Sequence, residues 1–453
     1  MAEQGKIRII KPCHRLEGEV TPPGDKSISH RAVILNSIAS GEAEIVNFSP
    51  GRDCWSTVSC LRALGARIRR VGASDFPTLL VSGVGGRGLS EAPNVLNAGN
   101  SATTMRLLGG LLSSQPFLSI ITGDASLRSR PMGRLIEPLR LMGAEIWGRG
   151  RDSFAPLVIK GRKLHGAEIS LSIPSAQIKS AILLAGLFAQ GKTALQQLVP
   201  SRDHSERLLK QMGAELESDG KLISLNPLTS PLKAISFTIP GDISSAAYFL
   251  VAAAIHPDAR IVVRGCGVNP TRTGIIDALV AMGAKLRVEN ERLEANEPLA
   301  DIVVESSKLR GIEIGGAMIP RVIDEIPLLA VAGCFASGKT VIKDAAELRV
   351  KESDRIATVS RELTKMGAQI EELPDGMIIY GSKSLSGAEV DSHLDHRLAM
   401  SLAIAGLMAE GETVINHAQM VNVSYPSFWS AIASLIPSQS SEQNEEAARE
   451  LKQ

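Results

Sequence analysis

Apolar residues recur along this chain in two rhythms. The first belongs to helices that are apolar nearly all round, as in Ala181-Ile182-Leu183-Leu184-Ala185-Gly186-Leu187, a pattern that predicts burial on every side. Six such helices are expected, each opening on a polar turn. The turns are Gly24-Asp25-Lys26-Ser27, Gly99-Asn100-Ser101-Ala102-Thr103, Pro174-Ser175-Ala176-Gln177, Gly241-Asp242-Ile243-Ser244-Ser245, Arg321-Val322-Ile323-Asp324-Glu325 and Leu394-Asp395-His396-Arg397. Their helices run out near Ser40-Gly41, the Ser113-Ser114-Gln115-Pro116 turn, Gln190-Gly191, His256-Pro257, Ser337-Gly338 and Glu410-Gly411.

The second rhythm is amphipathic and closes on a repeated phrase. Leu64-Gly65-Ala66-Arg67-Ile68 returns as Met142-Gly143-Ala144-Glu145-Ile146, Met212-Gly213-Ala214-Glu215-Leu216, Met282-Gly283-Ala284-Lys285-Leu286 and Met366-Gly367-Ala368-Gln369-Ile370. Each phrase predicts a helix stopped at a C-cap glycine, followed at once by a strand. A sixth amphipathic helix, near Trp429 to Leu435, stands where another copy is due but lacks the Gly-Ala ending.

Six copies of a strand–helix–strand–helix–strand unit in 453 residues imply two domains of three copies each. A break near Pro240-Gly241 gives a first domain at 25–240 and a second made of 1–24 plus 241–437. The short strand Ile7-Arg8-Ile9-Ile10 and the rest of the chain before Pro22 would complete the second domain, so two crossings lie side by side as a hinge. The Ser-, Gln- and Glu-rich segment 438–453 reads as a polar tail.

Composition narrows the function. Hydrophobic residues make up 44% of the chain, enough for packed cores, but aromatics are only 3%, too few for the stacking platforms of single-strand nucleic-acid binders. A net charge of +1 supplies no bulk field toward nucleic acid or a membrane surface. The longest apolar runs, such as 398–409, fall short of the roughly 18 residues needed to span a bilayer. The first residues lead into a strand without a secretory apolar core or a Ser/Arg-rich transit segment, so a cytoplasmic protein is expected. Five cysteines without a C-x-x-C pair indicate neither a disulfide framework nor a metal site.

The chemistry concentrates at the helix starts. Lys26, Ser27 and Arg31 sit in the first turns of a helix, where the macrodipole already disfavours cations. Their placement points to an anion shared with the free backbone N–H groups. If the buried helices run in parallel, all six polar starts gather on one cleft. Each start contributes about 0.3–1 kcal/mol toward an anion. Selection therefore falls to side chains, whose charge-assisted hydrogen bonds are worth about 1.5–3 kcal/mol.

Five motifs in order, Pro23-Gly24-Asp25-Lys26-Ser27-Ile28-Ser29-His30-Arg31, Gly99-Asn100-Ser101-Ala102-Thr103-Thr104-Met105-Arg106, Arg130-Pro131-Met132-Gly133, Lys351-Glu352-Ser353-Asp354-Arg355 and Asp395-His396-Arg397, give the chain a family likeness. From about residue 6 to 432 it resembles the EPSP synthase (3-phosphoshikimate 1-carboxyvinyltransferase) family. The resemblance implies two inverse α/β domains, each of three βαβαββ units, closing on an interdomain cleft. It implies transfer of the enolpyruvyl group of phosphoenolpyruvate to the 5-hydroxyl of 3-phosphoshikimate, with release of phosphate and no cofactor. Matched position by position, Lys26, Ser27, Arg31, Ser175, Ala176, Gln177, Ser201, Arg202, Asp324 and Lys351 would bind 3-phosphoshikimate. Lys26, Asn100, Ala102, Arg130, Gln177, Arg355 and Arg397 would bind phosphoenolpyruvate. Asp324 matches the proton acceptor and opens the fifth buried helix. Glu352 matches the group that protonates the methylene carbon, with Lys26 sharing that role. A monomer binding no nucleic acid, membrane or metal is expected.

Three positions depart from the family pattern. Ala102 replaces a usual glycine, as in a glyphosate-insensitive branch of the family, and its methyl group should face the phosphoenolpyruvate pocket, so glyphosate should bind weakly. Val423 stands where some members have a phosphoenolpyruvate-binding lysine, and Glu347 where some have an asparagine at the shikimate phosphate. The sister transferase acting on UDP-N-acetylglucosamine is the nearest alternative, but no cysteine occurs at 128–134, the region matching its mobile loop. A different alternative is a non-catalytic anion-binding or P-loop module. Gly333-Cys334-Phe335-Ala336-Ser337-Gly338-Lys339-Thr340 fits the P-loop pattern letter for letter, but it is expected to end a helix and open a strand, the reverse of a working P-loop.

Overall fold

The computed structural model describes residues 6–72, 76–382 and 384–437, and the tail expected at 438–453 lies outside them. The six inner helices form as Lys26–Ile38, Ala102–Ser113, Ala176–Gly186, Ile243–Ile255, Ile326–Cys334 and His396–Leu407. Asp25, Ser101, Ser175, Asp242 and Asp395 each cap one of them by accepting from a backbone N–H of the first turn. Such a cap is worth about 0.5–2 kcal/mol.

The fifth start differs from expectation. A short helix, Ile319–Val322, precedes it, and Ile326–Cys334 begins after Glu325 with no side-chain cap. Asp324 lies in the turn between the two helices. Every residue of Ile243–Ile255 is buried. At about 1.5–3 kcal/mol per large apolar side chain, these helices supply much of the drive to fold.

The outer helices Arg52–Ala63, Gly133–Leu141, His204–Gln211, Gly274–Met282 and Arg355–Lys365 end where the repeated phrase places them. Gly65, Gly143, Gly213, Gly283 and Gly367 all take φ between 87° and 95°, a left-handed turn that glycine adopts without steric cost. The sixth outer helix, Phe428–Ser434, is anchored by rings instead: Phe428 packs edge-on against Tyr248 at 5.6 Å and Tyr425 at 5.8 Å.

Among the described residues, five four-stranded sheets share one order. In a representative sheet, Leu96–Asn97 runs parallel to Leu118–Thr122, and the antiparallel strands Phe154–Lys160 and Glu145–Gly148 follow. The inner helix bridges the parallel pair, which no tight turn can join. Two sheets are completed by distant chain. Phe237–Thr238 pairs with Glu42–Val46, and Leu16–Val20 pairs with Ala259–Gly267. A further sheet of three strands sets Ile7–Ile10 against Thr413–Asn416.

Buried apolar residues form two clusters. One runs from Ile28 to Ile239, and the other joins Ile10, Leu16 and Val20 to residues from Ile243 to Leu435. The chain passes between them twice, and the passes are stitched together. Asp25 N–H donates to the Pro240 carbonyl and Asp242 N–H to the Pro23 carbonyl, both at 2.8 Å. The P-loop look-alike straddles the end of Ile326–Cys334 and the start of the strand Lys339–Ile342, running helix to strand. Among the described residues, no helix is long and apolar enough to cross a membrane.

Candidate active site

Between the two clusters lies a cavity of about 470 Å³. Five of the six inner helix starts reach its wall, through Lys26 and Ser27, through Ala102 and Thr103, through Ser175, Ala176 and Gln177, through Asp324, and through His396 and Arg397. The fourth does not. Asp242 sits behind the wall, 3.4 Å from the buried Arg272 guanidinium, and its second oxygen accepts from Lys26 N–H at 3.5 Å. The expectation of six converging starts is corrected to five, because the fourth lies against the crossing and is neutralised there.

Segments leading into outer helices complete the wall with Arg130, Arg134, Ser201, Arg202, Glu347, Lys351, Glu352 and Arg355. Eight lysines and arginines face five carboxylates around the cavity, a net positive lining in a nearly neutral protein. Ion pairs cross the cleft: Arg134 to Glu347 at 3.2 Å, Arg130 to Glu352 at 3.6 Å and Arg202 to Asp324 at 2.5 Å.

Asp324 is the electrostatic centre. Arg355 Nη1 lies 3.6 Å from its carboxylate and Arg397 Nη2 3.8 Å, while Arg397 Nη1 donates to its backbone carbonyl at 3.1 Å. Burial opposes ionisation, but Arg397, Arg202, Lys351 and Arg355 outweigh it and hold the carboxyl well below the usual carboxylate range. Glu352 behaves likewise: burial is overcome by Arg355, which it meets at 2.7 Å, and by Arg130. Lys26 stays charged. Burial would release its proton, but Asp53 at 3.2 Å, with help from Glu352 and Asp324, holds its pKa above the ordinary value. Burial lowers Lys351 and brings His396 down to about 3, so this imidazole is neutral. Arg355 is 1% exposed, and among the described residues its Nη1 has no hydrogen-bond acceptor.

Two predicted residues do not line the cavity. Arg31 is buried behind the wall, where Nε donates to Ser205 Oγ at 2.7 Å and Nη2 to Ser180 Oγ at 2.6 Å. Asn100 accepts from Arg130 Nη2 at 2.9 Å and donates to Asp124 at 2.7 Å, so it aims an arginine rather than facing the cavity. Ser201 lines the cavity, with its hydroxyl bonded to Gln197 at 2.8 Å. Glu347 is paired by Arg134, and Val423 closes a turn away from the wall.

The sequence reading missed Asp53, Thr103, Arg106, Arg134 and His396 as cavity residues. Arg106 carried a signal, being a lone cation inside an otherwise apolar helix, and its Nη1 grips Gln177 at 2.5 Å. Asp53 carried none, since an acidic residue in a first helical turn is commonplace.

Comparison with known proteins agrees with this geometry. The model of the family described as EPSP synthase (3-phosphoshikimate 1-carboxyvinyltransferase) matches residues 10–432. The chain is 54% identical over 430 residues to the 3-phosphoshikimate 1-carboxyvinyltransferase of Herpetosiphon aurantiacus, covering 94% of this chain and 99% of that protein. It is also 54% identical over 430 residues to that of Gloeobacter violaceus, covering 95% and 99%. An EPSP synthase structure from Acinetobacter baumannii superposes with a TM-score of 0.85 at 42% identity, covering 95% of this chain and 98% of the other. Motifs, fold and cavity converge, and the chain belongs to the EPSP synthase family.

Proposed function

We propose that this protein transfers the enolpyruvyl group of phosphoenolpyruvate to the 5-hydroxyl of 3-phosphoshikimate, giving 5-enolpyruvylshikimate 3-phosphate and phosphate. One observation carries the assignment of roles: Asp324, an ionised carboxylate, sits among Arg202, Arg355 and Arg397 on the wall of a net-cationic cavity. Ser27, Ser175, Ala176, Gln177, Ser201, Arg202 and Lys351 form the 3-phosphoshikimate end. Arg130, Arg355 and Arg397 form the phosphoenolpyruvate end, with Lys26 between them. Guanidinium forks match phosphate and carboxylate groups, which favours arginine at the second end.

The charges also assign the protons. Incoming anions draw the arginines off Asp324, which raises its basicity where the hydroxyl proton must be taken. Glu352 enters unprotonated, whereas Lys26 carries a proton. Substrate anions compete for Arg130 and Arg355 and place negative charge beside Glu352. Both effects raise its affinity for the proton that Lys26 holds, so the two groups act together on the methylene carbon.

Ala102 opens its helix at the cavity wall and is 7% exposed. Its methyl group narrows the phosphoenolpyruvate end, and we read it as the source of weak glyphosate binding. Both ends of the cavity come from one chain, which supports a monomeric enzyme. The test is phosphate release from phosphoenolpyruvate with 3-phosphoshikimate, UDP-N-acetylglucosamine or ATP as the varied partner. Turnover is expected with 3-phosphoshikimate alone, and its absence there would overturn the reading.

A further inference from the structure

Immediately before the cap residue Asp395, two consecutive non-glycine residues adopt left-handed backbone: His393 at φ 49° and Leu394 at φ 58°. This conformation is costly for a branched apolar residue and persists only where its surroundings over-determine it. Leu394 does not earn it by packing, since its side chain is 56% exposed.

The restraint comes from elsewhere. The His393 N–H donates to Asp391 Oδ1 at 2.6 Å, and the imidazole Nε2 lies 2.8 Å from Glu362 Oε1, the ring N–H donating. The other oxygen of Glu362 accepts from Asp391 N–H at 2.9 Å. The Glu362 side chain is completely buried, and Lys365 balances its charge at 2.7 Å.

We infer that Glu362 and His393 form a clamp that positions Asp395 and, through it, the guanidinium group of Arg355 and the start of the helix that carries Arg397. Asp395 is fully buried, accepts from Arg355 Nε at 2.8 Å and caps the Arg397 N–H at 2.9 Å. Glu362 stands on the same helix as Arg355, seven residues on, so the two share a face two turns apart. One helix therefore touches the strained segment twice, at Asp395 and at His393. Neither Glu362 nor His393 lines the cavity. They are positioning residues, and a small misplacement of the arginines would weaken binding of the anion they face.

The inference rests on the reading of Arg355 and Arg397 as phosphoenolpyruvate ligands, and the test separates the two. His393→Asn removes the imidazole but keeps a residue that tolerates left-handed backbone, and Glu362→Gln is the second variant. Each should raise KM for phosphoenolpyruvate about tenfold and leave KM for 3-phosphoshikimate within about twofold. Adding Leu394→Gly to His393→Asn should bring KM for phosphoenolpyruvate back toward wild type, because glycine holds this turn without a clamp. An unchanged KM for phosphoenolpyruvate in both variants, equal rises for both substrates, or no recovery with Leu394→Gly would overturn the clamp. Arg397→Lys is the control. If it raises KM for phosphoenolpyruvate while the clamp variants do not, the clamp alone fails. If it leaves that KM unchanged, the assignment of the ligand fails first and the clamp with it.

Discussion

Arg202 Nη2 and Asp324 Oδ2 meet at 2.5 Å from opposite sides of the cleft, 122 residues apart in the chain. One is the proposed anchor for 3-phosphoshikimate and the other the proposed proton acceptor, so substrate binding and basicity are coupled at a single contact. A carboxyl held below its ordinary range stays ionised until pH falls through that lowered value. Arg202→Met removes one of the cations holding it down. The acid limb of kcat/KM against pH, which reports the free enzyme, should therefore move to higher pH, together with a rise in KM for 3-phosphoshikimate. Asp324→Ala should instead lower kcat by about 10²–10⁴ with little change in that KM. The same linkage acts on stability. The contribution of Asp324 is complete above its unfolded value near ~3.9 and is lost as pH falls through the folded one. Arg202→Met narrows that window, so unfolding free energy should depend less steeply on pH below about 4, from a limit of about 1.4 kcal/mol per pH unit per proton. An acid limb that stays in place would count against the coupling.

Ala102 tests the narrowing of the phosphoenolpyruvate end. One extra methyl group in a tight site typically costs a ligand about 1–3 kcal/mol. Ala102→Gly should accordingly tighten glyphosate inhibition by about tenfold or more, measured as the inhibition constant against phosphoenolpyruvate. KM for phosphoenolpyruvate itself should change by less than about threefold. Equal inhibition of both forms would remove Ala102 as the determinant.

Gly110 joins stability to the site. A Cβ there would lie 2.1 Å from the Ala181 carbonyl oxygen, because the helices Ala102–Ser113 and Ala176–Gly186 touch backbone to backbone. Gly110→Ala must push them apart, at a cost of about 1–3 kcal/mol or more by denaturant unfolding. Ala102, Arg106 and Gln177 ride on those helices, so KM for phosphoenolpyruvate should rise as well. Gly338→Asn is the contrast. At φ 84° a Cβ would meet nothing within 4 Å, and asparagine tolerates that region, so stability should change by less than about 1 kcal/mol with kinetics unaltered.

Much of this architecture is local, and for that reason it was legible. A C-cap glycine such as Gly283 and an N-cap such as Asp25 act within one helical turn, so their residues announce the boundary wherever the chain later packs. The all-apolar composition of 243–255 likewise announces complete burial. The motifs around Lys26, Arg130, Arg355 and Arg397 marked residues that do line one cavity. Asp324 was legible as a residue of the fifth helix start but not as an uncapped turn residue facing Arg202.

What the sequence by itself determined, then, is the repeat, most helix limits, the buried faces and the family likeness. Tertiary structure alone decided that the fourth helix start is withdrawn behind Arg272, that Arg31 spends its donors on Ser180 and Ser205, and that Asn100 aims Arg130. It also decided that Asp53 sustains the charge of Lys26 and that Glu362 reaches His393. The reason is physical. Hydrogen bonds and torsional preferences set local form within a few residues, whereas the charge and aim of a side chain depend on neighbours that only packing brings near.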